Sequence, residues 1–315
     1  MRVDEFKPET MQRRVALIKA ALVCRMIQTV LLIILFTATA NAQDYEIRFL
    51  RPVKIGDRFR INATGRNFEG IAVFAGQRLL QDKAEEIGVD LTATLTALEV
   101  DGSGKPSTYS VEIEKLIVVP NGVIAGILIP GAVVIGASNG PRFDFSVNGV
   151  PLDAWSSKAL SIVVPTYHTA VTDDEVLGTR ERKKIGESWP VDADIAARSL
   201  NETLKLNVDK NYLSGRSTLD GIVKQGSTEY LVIRANMRVD KFSMPLPNGI
   251  TLQNGQLEGT FSGRFPVNPG RPPLSQSAKV SVRFSGTRAA DPNTPELTLN
   301  GITERSVQRE FQLLP

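Results

Sequence analysis

The chain has 315 residues, with 37 Lys and Arg against 34 Asp and Glu, one histidine and one cysteine. That length holds one large domain or two of ordinary size. Six of the basic and three of the acidic residues precede Gln43, leaving 31 of each sign, so the formal +3 gives no case for nucleic acid, which wants a concentrated basic surface.

The first element is a leader. Arg13, Arg14, Lys19 and Arg25 precede the apolar run Val30 to Phe36, and Ala40-Asn41-Ala42 follows it. A basic region, an apolar core and an A-x-A exit make up a secretory signal peptide. Residues 1–42 are therefore expected to be a signal helix cut between Ala42 and Gln43. A retained anchor is the alternative, but Lys19 and Arg25 cut the apolar run below the roughly 20 residues that a spanning helix needs. Cys24 lies ahead of the apolar core, where a lipidated cysteine would follow it. Cleavage leaves no cysteine, which excludes disulfides, thiolate nucleophiles and cysteine metal sites. The expected location is periplasmic or extracellular in a bacterial envelope, with no membrane span in the mature chain.

Beyond the leader the pattern is strand and turn. Val89 to Val100 and Tyr109 to Val119 flank the turn cluster Asp101 to Thr108 and predict a hairpin. Residues 217–223 and 229–239 flank Lys224 to Thr228 and predict another, and Gly255 to Phe265, Ala278 to Gly286 and Pro295 to Ile302 continue the style. Two short helices are expected, within Pro151 to Leu160 and within Asp192 to Lys205, the second opening on an Asp cap.

Gly122 to Ala137 is apolar almost throughout, with Pro130-Gly131 near its centre. A central Pro-Gly suits a hairpin better than a spanning helix, so two short core-facing strands are expected; a lipid-contacting loop is the alternative. Thr172 to Lys184 is charged and without periodicity, and is expected to be a solvated linker.

The chain also resembles itself. Lys54 to Ile61 and Lys184 to Val191 match as Lys-Ile-Gly-acid-x-aromatic-x-β-branched, 130 residues apart. The hairpin of Tyr109 then corresponds to that of Tyr230, the stretch 128–148 to 245–265, and Lys158 to Val164 to Ala278 to Phe284. This order predicts a duplication: a β-rich unit at 44–170, a charged linker at 171–183 and a second unit at 184–315. The expected fold class is mainly β, with antiparallel sheets in two tandem pseudo-repeats, curled half-barrels or sandwiches, and few short helices. Gly56, Asp57 and Phe59, with Gly186, Glu187 and Trp189, mark the openings of the units as structural residues. These residues loosely resemble the Gly-Asp-x-Trp strand-opening element of a group of uncharacterised exported bacterial β-rich proteins; the resemblance covers about a tenth of the chain and implies export but no activity.

Catalytic chemistry is thinly supplied. His168 has no G-x-S-x-G companion, and a lone imidazole without thiolates does not make a usual zinc site. Asp173, Asp174 and Glu175 lack the alternating ligand spacing and central glycine of a calcium loop. No catalytic, metal or cofactor residue is assigned and no cofactor is expected. The expected function is non-enzymatic, a binding or structural role at the envelope, with an envelope protein or an apolar ligand as partner and no nucleic acid. The alternatives are a carrier of a lipid or other apolar molecule in a curled β-cavity and, third, a carboxylate-dependent glycan hydrolase.

Overall fold

The computed structural model describes residues 43–315 except 103, 126–127, 140–141, 166–170, 247–248 and 291–294. The leader with Ala42, and His168, lie outside the described residues. The strands are β1 (Arg58–Ala75), β2 (Arg78–Val100), β3 (Pro106–Pro120), β4 (Val133–Asn139), β5 (Arg142–Val147), β6 (Val150–Pro151), β7 (Ser188–Pro190), β8 (Asn207–Val208), β9 (Leu213–Gln225), β10 (Thr228–Val239), β11 (Phe242–Ser243), β12 (Thr251–Pro266), β13 (Ser275–Arg288) and β14 (Leu297–Leu313). The helices are α1 (Ala154–Val163), the single turn α2 (Asp173–Val176) and α3 (Ala193–Leu204).

Twelve strands form one antiparallel sheet in the order β6-β5-β4-β3-β2-β1-β14-β13-β12-β10-β9-β7, and β8 pairs with β11 apart from it. The fold is mainly β, as expected, and the sheet is unclosed. Each stretch assigned to one unit supplies a run of neighbouring strands, and the two runs meet where β1 pairs with β14 from Phe59 opposite Leu313 to Ala75 opposite Leu297. The outer strands β6 and β7 are two and three residues long, and each contains a proline, Pro151 and Pro190. Short edges with no donor at proline offer little to a passing chain.

Alternation sets the inner face. Phe59, Ile61 and Ala63 lie opposite Leu95, Ala93 and Leu91, and Ala93 and Leu95 lie opposite Ile113 and Val111; all are buried. Side chains two apart share a face of a strand, so these rows form one apolar surface. Helix α1 covers it, packing Ala159, Leu160, Ile162 and Val163 into that core. In the other run Trp189, Leu219, Leu231, Ile233 and Phe265 form a second cluster, covered by the segment Tyr45, Ile47 and Phe49. A third cluster joins α3 to β8, β11 and β12. Between these covers, Ala278, Val280 and Val282 of β13 are only half-buried.

Two expectations need correction. Lys158 to Val164 does not match the strand Ala278 to Phe284: it is mostly α1. Asp153 starts the helix, accepting from the amides of Trp155 and Ser156 at 2.9 and 3.0 Å, a strong N-cap that overrides the β-branched residues at the far end. The apolar run 122–137 is core-facing only in part. Its second arm is β4, turned at Gly131 with φ 87°. The first arm touches β3 at a single bridge, Ala125 with Val118, and Val123, Ile124 and Ile129 are 68, 75 and 77% exposed. The turn at Asn121 and Gly122, both with positive φ, folds this arm back onto β3 as far as Ala125, and Leu128 packs against the core.

The charged linker is tied down. Thr172 and Glu175 make a reciprocal capping box on α2, and the Leu177 carbonyl accepts from Trp189 Nε1 at 2.7 Å and Ser217 Oγ at 2.8 Å. Lys183 and Tyr45 exchange backbone hydrogen bonds, both 2.9 Å. Its residues between Val171 and Thr179 are mostly half-buried.

Candidate functional site

A cavity of about 450 Å³ opens on the inner face over β12, β13 and β14. Its apolar walls include Phe49 from the covering segment, Phe261 from β12, and Phe59, Tyr109 and Phe311 from the other core. The rings are held edge to face: Phe49 stands 5.8 Å from Phe261 and 5.2 Å from Phe265, and Phe59 stands 6.3 Å from Tyr109. Such contacts fix ring orientation as well as burying area. Pro272, Pro273 and Thr203 also line it.

The polar lining is dominated by cations. Arg51, Lys105, Arg305 and Arg309 line the cavity with one carboxylate, Asp173, among the described residues. Arg309 donates from Nε to the Val163 carbonyl at 2.7 Å and from Nη2 to those of Ile162 and Val164, both 3.4 Å; Arg305 donates to Ser161. The two arginines, four apart on a strand and so on one face, satisfy the last carbonyls of α1 and place positive charge at its negative end.

Arg51 belongs to the segment Tyr45-Glu-Ile-Arg-Phe-Leu-Arg51. Tyr45, Ile47, Phe49 and Arg51 point inward and are buried, while Glu46 and Arg48 are exposed. The Asp174 carboxylate pins this segment, accepting from the amides of Phe49 and Leu50. Arg51 is 8% exposed, donates from Nη2 to the Pro266 carbonyl at 3.0 Å and stacks 5.6 Å from the Phe265 ring centroid. Its Nε and Nη1 have no hydrogen-bond partner among the described residues. Burial pushes the guanidinium down to about 10, against the pull of Asp174, so it remains charged at neutral pH. Asp173 is exposed on the cavity; desolvation by the lining around it raises its carboxyl above the ordinary range, Asp174 adds to the rise, and Lys105 and Arg309 oppose it.

No family model and no curated protein matches the chain. Among solved structures it is similar to lipovitellin, described for its lipid-protein interactions, at 7% identity and a TM-score of 0.32, covering 83% of this chain. The chain spans about a quarter of lipovitellin's length, 26%. It is also similar to a LolA superfamily protein from Nitrosomonas europaea (10% identity, TM-score 0.14, 85% of this chain and 89% of that one) and to OpdQ from Pseudomonas aeruginosa (8%, 0.19, 82% and 98%). At these TM-scores none of them informs the cavity or its occupant.

The residues marked in the sequence lie in two turns of one design. In the first, the Gly56 and Asp57 amides donate to Ala97 and Lys54, and the Asp57 carboxylate accepts from the Lys54 amide at 2.7 Å. In the second, Gly186 and Glu187 donate to Leu219 and Lys184, and Glu187 accepts from the Lys184 amide at 2.8 Å. Gly56 and Gly186 have φ of 88° and 86°, a left-handed region that favours glycine. Phe59 and Trp189 are 5 and 4% exposed. Asp57 and Glu187 are thus both engaged by turn backbone, and Phe59 alone of the marked six lines the cavity.

Among the described residues no group of three His, Cys, Asp or Glu could hold a metal, and no helix is long and apolar enough to cross a membrane. The sequence reading missed Arg51. Its signal was Tyr-x-Ile-x-Phe-x-Arg, a half-buried pattern with a cation in its fourth inward place, directly after the expected cleavage site.

Proposed function

We propose that this chain is an exported, non-enzymatic protein of the bacterial envelope that holds a lipid or other apolar molecule against the inner face of its sheet. The observation that supports this reading is the cavity: about 450 Å³ falls within the 300 to 1,000 Å³ common for small-ligand sites, and apolar walls with a few placed polar groups are the usual lining of such sites. The basic, apolar and small-residue order of residues 13–42 supports export, as does the resemblance carried by the Gly-acid turns. A glycan hydrolase needs two carboxylates facing across a cleft, and Asp173 has no second acid with it among the described lining residues.

The test is native mass spectrometry of the protein after mild purification from a bacterial host that exports it. The expected spectrum has a polypeptide starting at Gln43 and carrying an adduct that organic extraction removes. A polypeptide without adduct, which also takes up neither an added long-chain alcohol nor an added fatty acid or lysophospholipid, would overturn the carrier reading.

A further inference from the structure

Resting on that reading, we infer that the ligand is an anionic amphiphile whose headgroup oxygens meet the Arg51 guanidinium while its chain lies along Phe49, Phe261 and Val280. The carboxylate of a fatty acid and the phosphate of a lysophospholipid share this chemistry.

An unpaired buried arginine is costly. A guanidinium has five N–H donors and cannot relieve burial by losing its proton at neutral pH. Buried donors left without partners lose their hydration with nothing in return, and a buried charge is tolerated only when paired. Arg51 is buried, and the described residues give it one carbonyl and one ring face, with Nε and Nη1 unpartnered. Asp174, the nearby acid, is occupied by the amides of Phe49 and Leu50. A hydrophobic residue would fill the place beside Phe265 more cheaply, so stability alone does not explain an arginine here.

A ligand oxyanion does. Binding would turn the enclosed Nε and Nη1 donors of Arg51 toward the ligand and pair them through charge-assisted hydrogen bonds, in surroundings where such bonds are strong. The rest of the lining agrees: Lys105, Arg305 and Arg309 against Asp173 leave the cavity positive, and a positive, low-dielectric cavity selects anions from neutral molecules of the same shape. The aromatic and aliphatic walls fix the other end of the ligand as apolar.

The experiment compares three single-chain probes on the intact protein by isothermal titration calorimetry: oleate, oleyl alcohol and 1-oleoyl lysophosphatidate. One charge-assisted hydrogen bond predicts that at least one anionic probe binds the wild type roughly tenfold or more tightly than the alcohol; which anion gains more identifies the carboxylate or the phosphate as the natural head. In Arg51→Met the preference collapses to within about threefold while the alcohol binds as before, and the ligand-free variant melts no lower than wild type, since replacing a buried charge by an apolar side chain is often neutral or stabilising. Equal binding of alcohol and both anions by wild type overturns the Arg51 seat and leaves the carrier reading standing. Failure of all three to bind overturns both. The wild-type comparison holds whether or not the variant folds.

Discussion

At the residue scale, Asp173 is the acid of the cavity whose charge works against folding. The Asp173 carboxyl sits above its ordinary value of 3.8 because burial, then Asp174, disfavours the anion. Between 3.8 and the raised value the folded state binds more protons than the unfolded, so stability falls as pH rises through that window and the full penalty applies above it. Asp173→Asn is therefore expected to raise the melting temperature at pH 7 slightly, since solvent screens the charge of an exposed residue, by an amount that shrinks on acidification and disappears below about pH 3.8. Thermal scans across pH check this; a variant that gains stability only at low pH would contradict it. Asp173 was visible in the sequence as one of three consecutive acids, but its neighbours take different duties: Asp174 pins the covering segment and Glu175 closes a capping box. Those roles depend on what lies across from each side chain, which composition cannot supply. Trp189 and Phe59 were more legible, because a turn that needs glycine and an acid leaves a recurrent local pattern.

At the element scale, α1 is where local and long-range signals meet. Asp153 caps its start, inside the stretch Pro151 to Leu160 where a short helix was expected. Its position does not follow from sequence, because the helix lies on β1, β2 and β14 and is tied to Glu69 and Glu85 through Lys158 at 3.2 and 2.5 Å. The contact depends on Gly65 of β1: a Cβ there would stand 2.4 Å from Ile162 Cγ2 and 3.0 Å from Val163 Cγ1. Gly65→Ala is expected to push the end of α1 off the sheet and cost about 1 to 3 kcal/mol, measured by urea denaturation. Since Arg305 and Arg309 hold the same end of the helix, the variant should also weaken amphiphile binding. A neutral effect on stability would mean that α1 packs elsewhere in solution. The apolar run 122–137 shows the opposite limit of legibility: hydrophobicity predicted inward-facing strands, yet Val123, Ile124 and Ile129 are exposed.

At the scale of the whole molecule, the pairing of β1 with β14 joins the beginning of one strand run to the end of the other along 17 residue pairs. The two outer edges of the sheet are short and carry proline, whereas cutting the chain between the runs would expose β1 and β14 as long unpaired edges, the kind that template aggregation. Residues 44–170 and 184–315 made separately are therefore expected to aggregate or stay unfolded, and to recover a common fold when refolded together. Circular dichroism and size-exclusion chromatography of the separate and mixed pieces check this. Two soluble, folded halves would show that each run closes on its own.

By itself the sequence determined much of the local structure of this protein: strands from alternation, turns from glycine with an acid, and the start of α3 from an aspartate cap. These signals rest on neighbours a few residues apart, where backbone geometry is decided. The tertiary structure decided the rest. It made one sheet of two strand runs, opened a cavity between their covers, and enclosed Arg51 there with donors unpaired, because burial and charge pairing depend on residues hundreds of positions apart, such as Arg51 and Pro266.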